Sequence, residues 1–535
     1  NLTRVQWNSP EPQDEIYLIA ARFTEYTQQA GRVAVEAFLR TPDKELADKY
    51  LNAASQYIAM YEKLIGPYPY KKFALVENFY ETGFGMPSFT LLGSKVTRLP
   101  FIINSSYPHE ILHNWWGNSV FVDYNSGNWS EGLTAYLSDY LIMEQQEKGM
   151  EYRQTTLQKY ADYVSTGKDF PLTEFRMRYS APTESIGYGK SLLFFHMLRQ
   201  KLGDKDFTAG LQDFYLKNKF EFASFTDIKK SFEDASKRDL SIDFKQWVAQ
   251  AGAPEIRLTD VKATTDKEGY LITGYIEQVQ KGEAYHIQIP VAVTMENTER
   301  AFQTVLIMDK KKMKFSISAP SRPLRIDIDP EFDIFRRLDR AETPPAISQV
   351  LGAREMLIIL PSSASHSLLL SYREFAKALS NLNADKTKIM LDKEIKKLPS
   401  GQAVIILGWE NIFLKKMTSL LSKYDVLIDK SKDHSVVFSA RDPKDIEMAL
   451  LFIASDAIEA LPGLGRKLPH YHKYSYLTFK GKEPENITKG RWPVYDSPMT
   501  AYLPDKNGAI TKIEMGKLAA RNPLIALPSP FSKER

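Results

Sequence analysis

His109-Glu110-Ile111-Leu112-His113-Asn114-Trp115-Trp116-Gly117-Asn118, followed nine residues later by Asn128-Trp129-Ser130-Glu131-Gly132-Leu133-Thr134-Ala135-Tyr136, is the stretch from which this 535-residue chain can be read. The two histidines stand four residues apart. On an α-helix, which turns about 100° per residue, that spacing puts both imidazoles on one face, one turn apart, where a single cation can bridge them. Glu110 lies about 100° round the helix from His109, where a carboxylate can accept a proton from a water on the metal. A catalytic site of this kind needs three protein ligands and one open position. Glu131 is the candidate third ligand: the 17 residues after His113 can form a turn that brings a second helix, opening at Glu131, across the first. A two-histidine, one-carboxylate set at this spacing favours one Zn²⁺ ion over cobalt or manganese. Zinc lowers the pKa of its water to about 7, so the pattern predicts metal-assisted hydrolysis.

Composition agrees by exclusion. The chain has no cysteine, so disulfides, thiolate metal sites, iron–sulfur clusters and a cysteine nucleophile are all ruled out. Lysine plus arginine (70) nearly balances aspartate plus glutamate (66), which gives no reason to expect nucleic acid as a partner. The most apolar run, Met448 to Gly465, is interrupted by Asp456, Glu459 and Pro462, so no membrane span is expected. The absence of cysteine is compatible with an exported, periplasmic or extracellular protein, although a cytoplasmic one needs no cysteine either. The chain opens at Asn1, with no initiator methionine, which leaves room for a leader or an upstream domain.

A chain of 535 residues predicts three or four domains. Two β-rich runs over 16–39 read as a hairpin joined around Gln28 to Gly31, the end of an N-terminal β domain at 1–42. Leu46, Tyr50, Leu51, Ala54, Tyr57, Ile58 and Tyr61 recur at helical spacing over 43–65. Residues 107–250 read as mostly helical, with loops at 121–128 and 165–187. After Gly252 and Pro254 the period changes to two, and six short strands predict a β-sandwich at 254–342. Residues 343–505 then mix strands with helices at 366–380, 412–423 and 443–459, which suggests a small three-layer α/β domain. A polar, proline-rich tail at 506–535 is expected to wrap another domain.

The two motifs, HEILHNWWGN and WSEGLTAY, resemble those of the zinc aminopeptidases that include membrane alanyl aminopeptidase and leukotriene hydrolase, a gluzincin metallopeptidase family. The likeness extends to YEKLIGPYPYKKFALVENF (61–79), to ESIGYGKSLLFFHMLRQKLGDKDF (184–207) and to GYIEQVQKGEAYHIQIPVAV (274–293) of the sandwich, over about residues 15 to 340. The resemblance implies a multidomain α+β protein: a thermolysin-like, mostly helical catalytic domain at 43–253, then the sandwich and the α/β domain. It also implies that His109, His113 and Glu131 ligate one Zn²⁺, that Glu110 is the general base, and that Tyr188 donates its hydroxyl to the tetrahedral oxyanion of a peptide substrate. A phenol suits that role, since one such donor is typically worth about 3 kcal/mol to a developing oxyanion.

Four departures from the family pattern qualify the expectation. The spacing from His113 to Glu131 is one residue shorter than usual, and Gly189-Lys190 stands where the family has Glu-Lys. The strand motif with which the family holds a substrate's α-amino group appears as Phe84-Gly85-Met86-Pro87-Ser88, so Gly85, Met86 and Pro87 are the candidate substrate-binding residues. Pro87 occupies the place of the motif's glutamate and carries no charge; Glu81 and Glu184 are the nearest acids that could replace it. A buried ammonium without a carboxylate partner costs several kcal/mol, so amino-terminal recognition is expected to be altered. Finally, a mixed α/β domain stands where the family usually has a helical C-terminal domain. The alternatives are an endopeptidase, a hydrolase of non-peptide substrates on the same zinc site, and a peptide-binding pseudo-peptidase. Sequons at Asn1, Asn104, Asn128 and Asn486 carry little information by themselves, although a glycan at Asn128 would crowd the zinc site.

Overall fold

A computed structural model describes residues 6, 8–13, 15–164, 167–266, 269–381, 386–426, 430–442, 445–455, 457–494 and 496–526. The Asn1 sequon and the last nine residues of the tail lie outside the described residues.

Strands β1 (Thr24–Ala30) and β2 (Val33–Leu39) form the hairpin, and their sheet partners lie in this chain. With β3 (Lys72–Asn78), β4 (Gly83–Met86) and β5 (Phe89–Gly93) they make one sheet in the order β1-β2-β3-β5-β4, so β4 is an edge. The apolar run expected to start the hairpin at 16 is not strand before Thr24, and Ile16 and Leu18 are exposed. Between β2 and β3, helix α1 (Lys44–Leu64) buries the seven apolar positions named above except Leu46, which is half-buried, and the Asp43 side chain caps its start by accepting from the Leu46 N–H.

Helix α2 (Ser106–Leu112) ends at His113 and packs between α1 and the edge strand β4. The residue-121 region pairs as β6 (Phe121–Val122) with β7 (Phe222–Ala223), and α3 (Ser130–Ala135) then runs through a π-helical turn at Tyr136–Tyr140 into α4 (Leu141–Gln145). After α5 (Gly149–Tyr163) and α6 (Ala181–Glu184), a second π-helical turn, Ser185–Lys190, leads into α7 (Ser191–Leu202). Single-turn π insertions of this kind recur at functional sites. Here one carries Asp139 and the other Tyr188. Helices α8 (Asp204–Asn218), α9 (Phe225–Ser236) and α10 (Ser241–Trp247) complete the helical layer.

The six sandwich strands form as expected: β8 (Ile256–Asp266), β9 (Gly269–Gln278), β10 (Ile287–Met295), β11 (Phe302–Met308), β12 (Lys312–Ala319) and β13 (Pro323–Ile328). One sheet has the order β12-β9-β8; the other, β11-β10-β13, gains a fourth strand from Thr500–Tyr502 near the end of the chain. A single apolar core runs from Val33 through the helices to the sandwich, where it ends at Leu503. The tail follows its outside: Arg521 pairs with Asp333, and the Ile525 carbonyl accepts from Gln145 Nε2 at 2.8 Å.

The mixed sheet beyond residue 354 has β14 (Glu355–Leu360), β15 (Lys386–Leu391), β16 (Ala403–Leu407), β17 (His434–Asp442), β18 (Asp445–Ser455), β19 (Tyr476–Lys480) and β20 (Glu485–Gly490), in the order β15-β14-β16-β18-β17-β19-β20. The helix expected at 443–459 is therefore wrong, for a physical reason. Ala449, Leu451 and Ile453 face one apolar core and Leu450, Phe452 and Ala454 the other, so this central strand is apolar at every position from Ala449 to Ala454. Such a run carries no period to separate it from a buried helix. Among the described residues, no helix is long and apolar enough to cross a membrane.

Helix α3 crosses the start of α7 so closely that a Cβ added at Gly132 would stand 1.9 Å from Ser191 Oγ. In an ordinary helix Gly→Ala gains about 1 kcal/mol, but overpacking costs about 1–3 kcal/mol, and at that distance the clash decides. Gly132→Ala should lower the melting temperature and Gly132→Ala/Ser191→Gly should recover part of the loss; a stabilised single variant would show that the helices can part freely.

Candidate metal centre

His109 Nε2 and His113 Nε2 stand 3.2 Å apart, and Glu131 Oε2 is 3.6 Å from each. Donor atoms about 2.0–2.2 Å from a tetrahedral metal ion are about 3.3–3.6 Å from one another, so the three atoms fit one ion. Two further observations agree. Glu131 Oε2 is buried and has no hydrogen-bond partner among the described residues, a costly state for a carboxylate oxygen. The outer ring nitrogens are both engaged: His109 Nδ1 donates to Asp139 Oδ1 at 3.2 Å and His113 Nδ1 to the Trp116 carbonyl at 2.9 Å. This fixes the tautomer that turns each Nε2 lone pair inward.

The local field calls for positive charge. Burial opposes protonation of His109, but Asp139 and Glu131 overcome it and hold the imidazole well above its ordinary pKa. His113 is raised too, by Glu131 against burial. Burial works against the charge of Glu131, yet His113 and His109 hold its carboxyl well below the usual range. Glu110 behaves differently: burial raises its pKa, and the nearby imidazoles only partly offset this.

These residues line one cavity of about 660 Å³. Tyr188 lines it as well, with its ring nearly parallel to that of His109 at 6.4 Å between centroids. Burial and then Glu131 push its hydroxyl well up, so at neutral pH it keeps the proton that a donor needs. Of the candidate substrate-binding residues, only Gly85 reaches the cavity: a Cβ there would be 2.7 Å from Glu110 Oε2 and 3.2 Å from His113 Cβ, so glycine lets the β4 backbone pass directly over the general-base candidate. Met86 packs instead with Ala74, Val76 and Leu91. Pro87 is buried in the two-residue turn between β4 and β5, followed by Ser88 at φ 66°, and so lies outside the strand ladder. Proline followed by a positive φ is the pattern of a type II turn. The Ser88 N–H donates to Asn114 Oδ1 at 2.8 Å, which moors this hairpin beside α2.

Glu81 is spent on the backbone N–H groups of Lys95 and Val96, at 2.9 and 3.2 Å, whereas Glu184 does line the cavity. Sequence reasoning missed Asp139, Lys159 and Arg178. Asp139 stands eight residues after Glu131, a little over two helical turns, which was a usable signal; Arg178 lies in a loop and offered none. The Asn128 side chain is buried, with Nδ2 donating to the Arg176 carbonyl at 3.0 Å, so this sequon is engaged inside the fold.

Residues 50–247, which hold all five of His109, Glu110, His113, Glu131 and Tyr188, match the peptidase family M1 domain. The chain carries an M1 peptidase domain. It is similar to the alanine/arginine aminopeptidase of Saccharomyces cerevisiae, 22% identical over 315 residues that cover 54% of this chain and 35% of that protein. A probable aminopeptidase 2 of Sulfurisphaera tokodaii is 22% identical over 336 residues, covering 59% and 42%, and the glutamyl aminopeptidase of Homo sapiens is 24% identical over 332 residues, covering 59% and 33%. The match thus spans about a third to two fifths of the length of these relatives.

The geometry of the M1 domain predicts a metal site that competes with protons. Ligation needs both imidazoles neutral, while the surrounding carboxylates raise their pKa. Metal binding should therefore release protons, and affinity should fall as pH drops through the neutral range. Titration calorimetry in buffers of different ionisation heat reads this directly, and pH-independent affinity would refute it. His113→Ala and Glu131→Gln should each reduce bound metal from one ion per chain towards none.

Proposed function

We propose that this protein is a zinc metallopeptidase of aminopeptidase type whose recognition of the substrate amino terminus is relaxed. The observation that carries the reading is the convergence of His109, His113 and Glu131 on one point, in a cavity shared with Glu110 and Tyr188, inside an M1 peptidase domain. The proposal divides the chain into a thermolysin-like catalytic domain at 43–253, to whose sheet the preceding hairpin contributes β1 and β2, followed by the sandwich at 254–342, to which Thr500–Tyr502 adds a strand, the α/β domain that begins at 343 and a tail.

In this reading His109, His113 and Glu131 hold one Zn²⁺, which when bound makes water acidic near neutral pH and polarises the scissile carbonyl. Asp139 and the Trp116 carbonyl keep both imidazoles oriented for it. Glu110, whose proton affinity burial has raised, takes the proton of the attacking water and passes it to the leaving nitrogen. The Tyr188 O–H donates to the oxygen on which negative charge develops. The edge strand β4 offers its backbone to an extended peptide, and Gly85 permits the close approach over Glu110. Among the described residues lining the cavity, Glu131 and Asp139 serve the histidines, Glu110 the water and Glu184 its own cations, so no acid is left over for a substrate ammonium.

A mixed library of free and N-acetylated peptides, analysed by mass spectrometry, tests this. The wild type should cleave acetylated peptides within severalfold of their free twins. Glu110→Gln should keep its metal and lose about 10²–10⁴ in rate, and Tyr188→Phe should lose about 10²–10³ in kcat. Strict dependence on a free amine would sink the relaxed recognition, and cleavage that survives Glu110→Gln would sink the mechanism.

A further inference from the structure

The cavity contains a second charged group that the zinc chemistry does not use. Lys159 Nζ lies 2.8 Å from Glu184 Oε1, whereas Arg178 Nη1 is 3.6 Å from Glu184 Oε2, beyond hydrogen-bond length. Burial works against the charge of Glu184, but Lys159 and Arg178 hold its pKa below the ordinary value, so it is ionised. Two cations face one anion, and one positive charge remains. It belongs mainly to Arg178, whose side chain is 58% exposed and whose guanidinium lies over the Tyr188 ring, 5.8 Å from its centroid. Tyr188 in turn stacks beside His109, so this guanidinium is one aromatic ring away from the metal ligands.

The wall that carries these residues is fixed from behind. The Asn128 N–H donates to the Phe175 carbonyl at 2.8 Å, which anchors the segment leading to Arg178, and Ser180 caps the helix that bears Glu184. Lys159 sits on α5, which the mixed sheet's layer clamps: Ser348 Oγ donates to Asp162 at 2.5 Å, Lys473 pairs with Glu151 at 2.7 Å, and Arg491 donates to Gln154 and Gln158, each at 2.9 Å. Arginine's rigid fork matches a carboxylate in a way that lysine's point charge does not. Glu184 is no substitute amine anchor, because it is already outnumbered by cations.

We infer that Arg178, backed by Lys159 and Glu184, forms a carboxylate subsite that selects peptides with an acidic side chain next to the scissile bond. The inference rests on the peptidase reading for its substrate class.

Calorimetric binding to Glu110→Gln protein tests it independently of turnover. The probes are short peptides differing only as Glu or Gln on either side of the scissile bond, each made as a free acid and as a C-terminal amide. The Glu peptide on one side should bind about five- to tenfold more tightly than its Gln twin whatever the C-terminus, a modest factor because water screens the half-exposed arginine. In the Arg178→Ala background the ratio should fall to about one, and in Arg178→Lys it should be partly restored. Equal binding of Glu and Gln peptides, a ratio indifferent to Arg178→Ala, or a preference that follows the terminal carboxylate instead of the side chain would overturn the subsite. If wild type turns over none of the peptides while the Arg178-dependent ratio stands, the peptidase reading fails and the subsite survives.

Discussion

A buried, ionised Glu131 is the constraint on which the centre depends. Removing a carboxylate from water costs several kcal/mol unless other charge compensates, and here the compensation comes from two imidazoles 3.6 Å away. Those imidazoles are fixed by Asp139 and by a backbone carbonyl, and the closeness of α3 to α7 that places Glu131 is allowed only by a glycine at 132. The surrounding fold keeps these elements still. Trp115, Trp116 and Trp129 are fully buried around the two motifs, and the indole N–H groups of Trp115 and Trp129 donate to the Gly66 and Ala223 carbonyls.

From that centre the cavity grades in charge. Carboxylates gather at the candidate metal ligands and cations at Lys159 and Arg178, with the Tyr188 ring between His109 and Arg178. The mixed α/β layer, which among the described residues carries none that line the cavity, still bears on the cavity because it grips α5. Tyr163, the last residue of that helix, is part of the apolar core of this layer. Helix α5 therefore belongs mechanically to both sides, and a shift of the layer would move Lys159.

Much of the centre was legible because it is local. The spacing of His109 and His113 fixes their common helix face whatever the surroundings, and the helix over 43–65 and the sandwich strands announced themselves by period. Where period vanished, the reading failed: β18 is apolar on both faces and passed for a helix. The proline in place of the motif's glutamate at Pro87 was visible as lost charge, but its place in a hairpin turn was not, since that depends on which residues pair across β4 and β5.

The sequence by itself therefore determined the candidate metal-ligand set, the general-base candidate and most of the helical and β-rich segments, since spacing along one chain dictates faces of helices and strands. Only the tertiary structure decided that Asp139 supports His109, that Gly85 and not Met86 or Pro87 meets the cavity, and that Arg178 stands over Tyr188 with charge to spare. These are contacts between segments remote in sequence or in irregular loops. Their geometry follows from how the layers pack, and no periodicity encodes it.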